Sequence, residues 1–431
     1  MSNITIEAKK ISGQITPPAD KSISHRAVII ASIASGKTQI KNLSSCEDCL
    51  RTIDAFKNMG IAVTKSGEFS YIEGRGLIGL HKPKGKLYLG NSGTSMRLLL
   101  GILAAQRFSS ELEGDASLSK RPMKRVIEPL SLMGAEIKGR QGNEFAPLTV
   151  RGRTLKPISY EMPIASAQVK SAILLAGLYA EGITKVIESA KSRDHTERML
   201  KKFGADISPE GLSVSVSGRA DLIAKDVDIP GDASGASFFL VAACISKGSR
   251  VSIKSVGLNP TRTAFLNVLQ KMGASIRWNY ENDKAASGDY SQELKGEITA
   301  KYSSLKAFTI GSDEIPSLID ELPILMVAAT QAEGESIIAG ADELRVKETD
   351  RINSMISNLT RMKADIESRG NDIIIRGPSK LSGSIVESFG DHRTAMCMAV
   401  AALCASGRTT IKNTDCVFTS YPNFFEELSK L

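Results

Sequence analysis

The sequence predicts an α/β protein of two similar domains, each built from three repeated units around buried helices. Three observations predict this class. An apolar helical stretch that ends in a small-residue turn recurs six times along the chain. Each turn leads into a short β-type run, and five of these runs precede an amphipathic helix. The 431 residues exceed what one ordinary core can organise, so six units suggest three in each domain.

Each apolar helix starts with small hydroxyl residues, glycine or charged residues. These starts are Lys21-Ser22, residues 90–94, residues 166–168, residues 231–234, Asp320-Glu321 and residues 390–393. Any one of them is typical of an N-cap. Together, with a Lys or Arg near four of them, they predict a receptor for small anions, because a helix N-terminus offers free N–H groups and a partial positive charge. Glycines in five of the following turns predict left-handed helix ends at Gly36, Gly182, Gly248, Gly334 and Gly407.

The amphipathic helices are predicted to end at a hydrophobic residue followed by glycine. The hydrophobic positions are Met59, Met133, Phe203, Met272 and Met362, and only the last is followed by Lys instead of Gly. A polar insertion at residues 279–297 accounts for the wide gap before Met362. The sixth unit stops at its second helix, in the sequence NFFEELSKL.

Composition narrows the classes of function. The net charge of +8 indicates an anionic partner, but aromatic residues are only 5% and no basic stretch is interleaved with them, so we expect small polyanions and no nucleic acid. The start of the chain lacks a signal peptide and no apolar run could span a bilayer, which predicts a cytoplasmic protein with no membrane partner. Cys46 and Cys49 form one CxxC without a second pair at zinc spacing, and we expect no metal.

Eight motifs in order resemble the 5-enolpyruvylshikimate-3-phosphate synthase family from about residue 5 to residue 425. They are PADKSISHR, GNSGTSMR, RPM, SAQVK, SRDHTE, NPTR, RVKETDR and GDHR. SAQVK (166–170), RDHTE (193–197) and NPTR (259–262) look like the signatures of the second subclass, which contains glyphosate-tolerant bacterial enzymes. The resemblance implies an inside-out α/β barrel fold with three βαβαββ units per domain. It also implies domains at residues 1–19 with 233–431 and at residues 20–232, with the active site in the cleft between them.

The implied reaction transfers the enolpyruvyl group of phosphoenolpyruvate to the 5-hydroxyl of shikimate 3-phosphate, releases phosphate and needs no cofactor. By motif position, the residues for shikimate 3-phosphate are Ser22, Arg26, Ser166, Ala167, Gln168, Arg193, Asp320 and Lys347. Those for phosphoenolpyruvate are Lys21, Gly93, Thr94, Arg121, Gln168, Arg351 and Arg393. His195 and His392 receive orienting roles only. We expect a monomer that glyphosate inhibits.

The reaction needs a base and an acid, because the hydroxyl loses a proton as the vinyl carbon gains one. The resemblance assigns the base to Asp320 and the other proton transfers to Glu348 with Lys21. On a helix, Lys347 and Arg351 would share one face and clamp neighbouring anions. From the residues alone, a solvated helix with a Glu348–Arg351 pair is the commoner interpretation of RVKETDR.

The sequence departs from the family pattern at one proposed ligand position, and two alternative functions stay open. Thr419 stands where many members have a Lys that holds phosphoenolpyruvate, so that contact is in doubt. The first alternative is UDP-N-acetylglucosamine enolpyruvyl transferase, whose loop before the Arg-Pro dipeptide usually carries a Cys that residues 114–123 lack. The second, remote alternative is a basic scaffold that binds RNA.

Overall fold

A computed structural model describes residues 2–219, 221–281 and 291–431. Within these residues the chain forms two compact units. Unit 1 contains residues 2–18, 230–281 and 294–431, and unit 2 contains residues 19–229 and 291–293. Each unit has its own cluster of buried apolar side chains. Part of the insertion singled out in the sequence, residues 282–290, lies outside the described residues.

The expected domain boundaries can be compared with these units. The resemblance implied boundaries at 19/20 and 232/233, whereas the units divide at 18/19 and 229/230. Residues 291–293 were expected in the first domain with the rest of the insertion. They lie in unit 2, and nothing in the local sequence pattern indicated this.

The chain opens with two strands of unit 1 and then builds unit 2. The opening strands are β1 (Ile4–Ile6) and β2 (Ser12–Ile15). The helices of unit 2 are α1 (Lys21–Ile33), α2 (Glu47–Asn58), α3 (Gly93–Leu103), α4 (Lys124–Leu132), α5 (Arg140–Asn143), α6 (Ala167–Gly177) and α7 (His195–Lys202). Its strands are β3 (Ser35–Lys41), β4 (Ala62–Ser66), β5 (Phe69–Arg75), β6 (Leu87–Tyr88), β7 (Ser109–Glu113), β8 (Glu136–Gly139), β9 (Phe145–Arg151), β10 (Ser159–Glu161), β11 (Ile183–Ile187), β12 (Ile207–Glu210), β13 (Ser213–Ser217) and β14 (Val227–Asp228).

The rest of unit 1 follows. Its helices are α8 (Ala233–Ile245), α9 (Ala264–Lys271), α10 (Ile315–Leu318), α11 (Leu322–Thr330), α12 (Arg351–Arg361), α13 (His392–Ala402) and α14 (Phe424–Lys430). Its strands are β15 (Arg250–Gly257), β16 (Ser275–Tyr280), β17 (Lys295–Lys301), β18 (Leu305–Lys306), β19 (Thr309–Ile310), β20 (Ala332–Ile338), β21 (Asp365–Arg369), β22 (Asp372–Gly377), β23 (Ile385–Glu387) and β24 (Thr409–Lys412). Short 3₁₀ turns cover Leu118–Lys120, Asp342–Val346 and Thr414–Thr419.

One sheet pattern recurs in both units. Two sheets of unit 2 each form from one continuous βαβαββ segment, and their strand orders are β6-β7-β9-β8 and β10-β11-β13-β12. In each segment the first two strands pair in parallel, and the last two form an antiparallel hairpin. The order β18-β20-β22-β21 has the same form, with β19 also pairing β20. These segments confirm the predicted repeat and the α/β class.

The other three sheets take one strand from a distant part of the chain. Strand β14 pairs in parallel with β3, and β2 pairs in parallel with β15. The last sheet has the order β1-β24-β23, in which β1 lies antiparallel to β24. In the sixth unit, strand β1 therefore takes the sheet position beside β24 that a later strand fills in the other repeats.

The six apolar helices are α1, α3, α6, α8, α11 and α13, and each starts at or beside a polar start predicted from the sequence. The amphipathic helices α2, α4, α7, α9 and α12 have the predicted residues Met59, Met133, Phe203, Met272 and Met362 as C-caps. Lys363 follows the last C-cap at φ +71°, where the other four helices have Gly at φ +84° to +98°. This prediction is confirmed.

The prediction for the turn glycines is only partly right. All five have positive φ, as a residue without a Cβ allows. None of them is the residue directly after a helix C-cap, however. Gly36 and Gly334 lie inside strands β3 and β20, which begin almost directly after the preceding helix. Gly182, Gly248 and Gly407 lie in the turns beyond the C-caps Leu178, Ser246 and Leu403. Across the described ranges, none of the helices combines the length and apolar character needed to cross a bilayer.

Candidate active site

The first site element is the start of helix α1 in unit 2. The Asp20 carboxylate caps this helix by accepting a hydrogen bond from the Ile23 amide at 2.8 Å. Lys21 Nζ lies 3.1 Å from the Asp48 carboxylate of α2, so the ammonium group is oriented before any substrate arrives. The Ser22 carbonyl accepts from Arg26 Nη1 at 3.0 Å, which ties the two predicted ligands together.

Arg26 links helix α1 to helices α6 and α7. Its Nε donates to Thr196 Oγ1 at 2.6 Å and its Nη2 donates to Ser171 Oγ at 2.9 Å. These two hydroxyls also hydrogen-bond each other at 2.6 Å. Burial lowers the pKa of Arg26 to about 10, against the opposing effect of Glu197, so the side chain remains a cation at neutral pH. Arg193, two residues before the first residue of α7, is close enough to act on the same pKa.

The second element is the start of helix α3. Ser92 caps it by accepting from the Ser95 amide at 3.2 Å. Arg121 donates to the Asn91 carboxamide oxygen, and Asn91 donates to Asp115 at 2.8 Å. Gly93 leaves space for these groups, because a Cβ there would lie 2.9 Å from Arg97 Nη1 and 3.3 Å from Arg121 Nη1.

The third element is the start of helix α6, where Ser166 caps the helix at 3.4 Å from the Val169 amide and Ala167 is the first helical residue. Gln168 joins this helix to α3. Its Nε2 donates to Thr94 Oγ1 at 2.9 Å, and its carbonyl oxygen accepts from Arg97 Nη1. The structure therefore places Gln168 in contact with Thr94, the residue that follows Gly93.

A buried ion cluster lies behind these helix starts. Lys170 Nζ is 2.8 Å from Glu188 Oε2 and 2.6 Å from Glu197 Oε1, and all three side chains are fully shielded from solvent. Burial alone would lower the pKa of Lys170, but Glu197 and Glu188 outweigh it and the pKa is raised. Ser192 also donates to Glu188. The cluster fastens α6 to the segment that carries Arg193.

The fourth element, in unit 1, is centred on Arg351. Its Nε lies 2.6 Å from Asp391 Oδ2, its Nη2 lies 2.6 Å from Glu348 Oε2, and its side chain is 1% exposed. Burial lowers the pKa of Arg351, but Asp391 and Glu348 outweigh this effect, so the pKa is raised and the group stays charged. The Glu348–Arg351 pair that the sequence suggested exists, but only Glu348 is partly exposed, at 22%, whereas Arg351 is buried.

Asp320 lies among three guanidinium groups of unit 1. Its Oδ1 is 3.6 Å from Arg351 Nη1 and 3.5 Å from Arg393 Nη2. Its Oδ2 is 3.9 Å from Arg262 Nη1. Arg393 Nη1 also donates to the Asp320 carbonyl at 2.8 Å, so the proposed base and a predicted phosphoenolpyruvate ligand share one corner of the unit.

The expectation that Lys347 and Arg351 share a helix face is wrong. Helix α12 begins at Arg351, because the Asp350 carboxylate caps it by accepting from the Ile352 and Asn353 amides, both at 3.1 Å. Lys347 instead follows the 3₁₀ turn Asp342–Val346. Its Nζ lies 3.6 Å from Glu343, and burial lowers the pKa of Lys347 despite this carboxylate.

Two further predicted positions have clear local partners. His392 is the first residue of α13, and its Nδ1 lies 3.7 Å from the Asp391 carboxylate. Thr419, in the position of the family lysine, donates its hydroxyl to the Cys416 carbonyl at 2.7 Å.

Sequence reasoning missed several residues that orient the predicted ligands. They are Asp48, Asn91, Arg97, Ser171, Thr196, Arg262, Glu343 and Asp391. Five of them lie inside quoted motifs, so the motifs contained the signal: Asn91 and Arg97 in GNSGTSMR, Thr196 in SRDHTE, Arg262 in NPTR and Asp391 in GDHR. Among the described residues, no group of three or more His, Cys, Asp or Glu side chains is placed to hold a metal ion.

The fold and the site define an α/β enzyme in which each unit holds Arg and Lys side chains near the starts of buried helices. Such an arrangement can bind small molecules that carry several negative charges. The family model for EPSP synthase (3-phosphoshikimate 1-carboxyvinyltransferase) matches residues 6–428, and the chain belongs to this family. This match confirms the resemblance to the family that the eight sequence motifs indicate.

Named relatives and solved structures agree with this assignment. A 3-phosphoshikimate 1-carboxyvinyltransferase of Bacillus cereus (strain ATCC 10987 / NRS 248) is 52% identical over 421 residues, 98% of this chain and 97% of that protein. One of Bacillus thuringiensis (strain Al Hakam) is 51% identical over the same shares of both chains. The structure of EPSP synthase from Acinetobacter baumannii at 2.37 Å aligns with a TM-score of 0.86 and 43% identity, over 99% of this chain and 97% of that one.

Proposed function

We propose that the chain transfers the enolpyruvyl group of phosphoenolpyruvate to the 5-hydroxyl of shikimate 3-phosphate, in the shikimate pathway of aromatic amino-acid biosynthesis. One observation carries the proposal beyond family membership: guanidinium groups stand at buried helix starts in each unit, Arg26 and Arg121 in unit 2 and Arg351 and Arg393 in unit 1. Both substrates carry a phosphate and a carboxylate. Arg side chains bind such groups through paired hydrogen bonds.

The residues divide between the substrates as the motifs imply. Shikimate 3-phosphate is assigned to Ser22, Arg26, Ser166, Ala167, Gln168, Arg193, Asp320 and Lys347. Phosphoenolpyruvate is assigned to Lys21, Gly93, Thr94, Arg121, Gln168, Arg351 and Arg393, with His392 orienting. Gln168 serves both sets, which fits its bridging position between Thr94 and Arg97.

The chemistry follows addition and then elimination. Asp320 accepts the proton of the 5-hydroxyl while the 5-oxygen of shikimate 3-phosphate bonds to C2 of phosphoenolpyruvate, and C3 receives a proton from Glu348 or Lys21. In the elimination, C3 returns a proton, the bond between C2 and the phosphate oxygen breaks, and the carbon–carbon double bond is restored. The cations that surround the Asp320 carboxylate also stabilise the negative charge on the departing phosphate.

Phosphate release tests this proposal. We expect release from phosphoenolpyruvate only when shikimate 3-phosphate is present, and none when UDP-N-acetylglucosamine replaces it. Release with the nucleotide sugar would favour the sister transferase. Absence of release, combined with salt-sensitive retention of RNA, would favour the binding scaffold.

Three finer properties belong to the same proposal. Glyphosate should compete with phosphoenolpyruvate, the chain should act as a monomer in the cytoplasm, and nucleic acid should not be a partner. Inhibition patterns at varied phosphoenolpyruvate test the first property. Sedimentation of the purified protein tests the monomer, and a filter-binding assay with RNA tests the last.

A further inference from the structure

The polar insertion reaches the substrate-binding part of unit 2 through residues 291–293. The proposed function makes no use of the insertion, which interrupts the hairpin β16–β17 of unit 1. Nevertheless Gln292 and Glu293 contact the first turn of helix α7. Only Asp194 separates this turn from Arg193.

Glu293 contacts α7 through a buried charged hydrogen bond. Its Oε1 lies 2.7 Å from His195 Nδ1, and the two side chains are 10% and 1% exposed. The adjacent Gln292 carbonyl accepts from Arg198 Nη1 at 3.0 Å. Burial alone would raise the pKa of Glu293, but His195 and Arg198 outweigh it and the pKa is lowered, so the carboxylate is ionised.

Helix α7 depends on such outside support because it is short and its cap residue is engaged elsewhere. It has eight residues, and Asp194 at its N-cap makes no side-chain cap hydrogen bond. The Asp194 carboxylate instead pairs with Arg198 Nε at 3.0 Å. Glu293 and Gln292 therefore supply contacts that the helix start does not make for itself.

The same helix turn orients a proposed substrate ligand. Thr196, next to His195, accepts the hydrogen bond from Arg26 Nε at 2.6 Å and shares one with Ser171. Glu293 is also among the carboxylates that act on the pKa of Arg26. A shift of the α7 start would thus move a hydrogen-bond acceptor of Arg26 and the backbone next to Arg193.

We propose that Glu293 is a positioning residue that holds the α7 start so that Arg26 and Arg193 are placed for shikimate 3-phosphate. The inference rests on the proposed function, which supplies the ligand for these two arginines. It assigns a role in substrate affinity to Glu293, which lies 98 residues along the chain from its partner His195.

The experiment compares three variants in steady-state kinetics and in calorimetric titration with shikimate 3-phosphate. Glu293→Ala removes the charge and the acceptor, whereas Glu293→Gln keeps the size and an acceptor oxygen. Glu297→Ala is the control, since this carboxylate belongs to the same hairpin but bonds Ser252 and Lys254 within unit 1. Circular dichroism verifies that each variant folds.

We expect Glu293→Ala to raise KM and Kd for shikimate 3-phosphate about tenfold, because one hydrogen bond to a charged group is lost. The kcat and the KM for phosphoenolpyruvate should stay within about twofold of the values for the unmodified chain. Glu293→Gln should recover part of the loss, and Glu297→Ala should behave as the unmodified chain. Equal changes in both KM values, or a Glu293→Ala change below about twofold, would overturn the inference. If Glu293→Ala fails to fold, Glu293→Gln decides by the same criterion. An inactive unmodified protein would instead refute the proposed function.

Discussion

Replacing Lys170 with Met should destabilise unit 2 strongly. The variant keeps the approximate volume of the side chain but leaves Glu188 and Glu197 buried without the cation that now lies 2.8 Å and 2.6 Å from them. Removing one partner from a buried ion pair costs about 3–5 kcal/mol. For a unit of this size, each kcal/mol lowers Tm by about 2–4 °C, so Tm should fall by roughly 6–20 °C.

The matched control is Lys254→Met. Lys254 also pairs with a glutamate, Glu297, but its side chain is 36% exposed. An exposed pair contributes about 1 kcal/mol or less, so this variant should melt within a few degrees of the unmodified chain. Calorimetric melting of both variants gives the comparison, and similar Tm values would refute the argument that burial makes the Lys170 cluster critical.

The pH dependence provides a second sign for Lys170→Met. Burial alone would lower the pKa of Lys170, but Glu197 and Glu188 outweigh it and the folded-state pKa is raised above the ordinary lysine value. The stabilisation by these pairs is therefore complete below the ordinary lysine pKa and is lost as pH rises through the folded-state pKa, so the deficit of the variant should stay constant from about pH 6 to about pH 9 and shrink only at higher pH. A deficit that shrinks already at neutral pH would contradict this assignment.

Three other predictions concern the site and the fold. Asp320→Asn should cut turnover by about 100-fold or more while shikimate 3-phosphate still binds in calorimetry; turnover within a few-fold would make Asp320 a structural residue only. Gly93→Ala places a methyl 2.9 Å from Arg97 Nη1, so it should raise the glyphosate inhibition constant by a larger factor than the KM for the shorter phosphoenolpyruvate, and equal factors would contradict the steric account. Lys363→Gly, at φ +71°, should raise the free energy of unfolding by about 0.5–1 kcal/mol in urea, and Gly273→Lys should lower it; no change in either would show that this φ is not strained.

The repeat could be predicted from sequence because its determinants are local. Helices α2 and α9 end at the C-caps Met59 and Met272, and the glycine that follows each cap adopts positive φ. This pattern is visible within a few residues of sequence. The buried helix starts were visible for the same reason. The motifs then predict which of these starts carry ligands.

The parts that sequence missed depend on distant pairing or on competing caps. Nothing near β1 indicates that it will pair with β24, and nothing near Glu293 indicates that it will pair with His195. In RVKETDR, the spacing of Lys347 and Arg351 suggested one helix, but Asp350 has an acceptor that caps the helix at Arg351. Local patterns predict elements well, whereas the β1–β24 and Glu293–His195 contacts are decided by packing of the whole unit, and the helix start at Arg351 by a choice between two local caps.

Transfer of a labelled carbon tests the central claim most directly. The unmodified protein is incubated with shikimate 3-phosphate and phosphoenolpyruvate labelled with carbon-13 at C2, and the reaction is followed by carbon and phosphorus NMR. The account predicts that the label appears in an enol ether on the 5-oxygen of shikimate 3-phosphate as phosphate is released in equal amount. Label in pyruvate, or phosphate release without the enol ether, would contradict it.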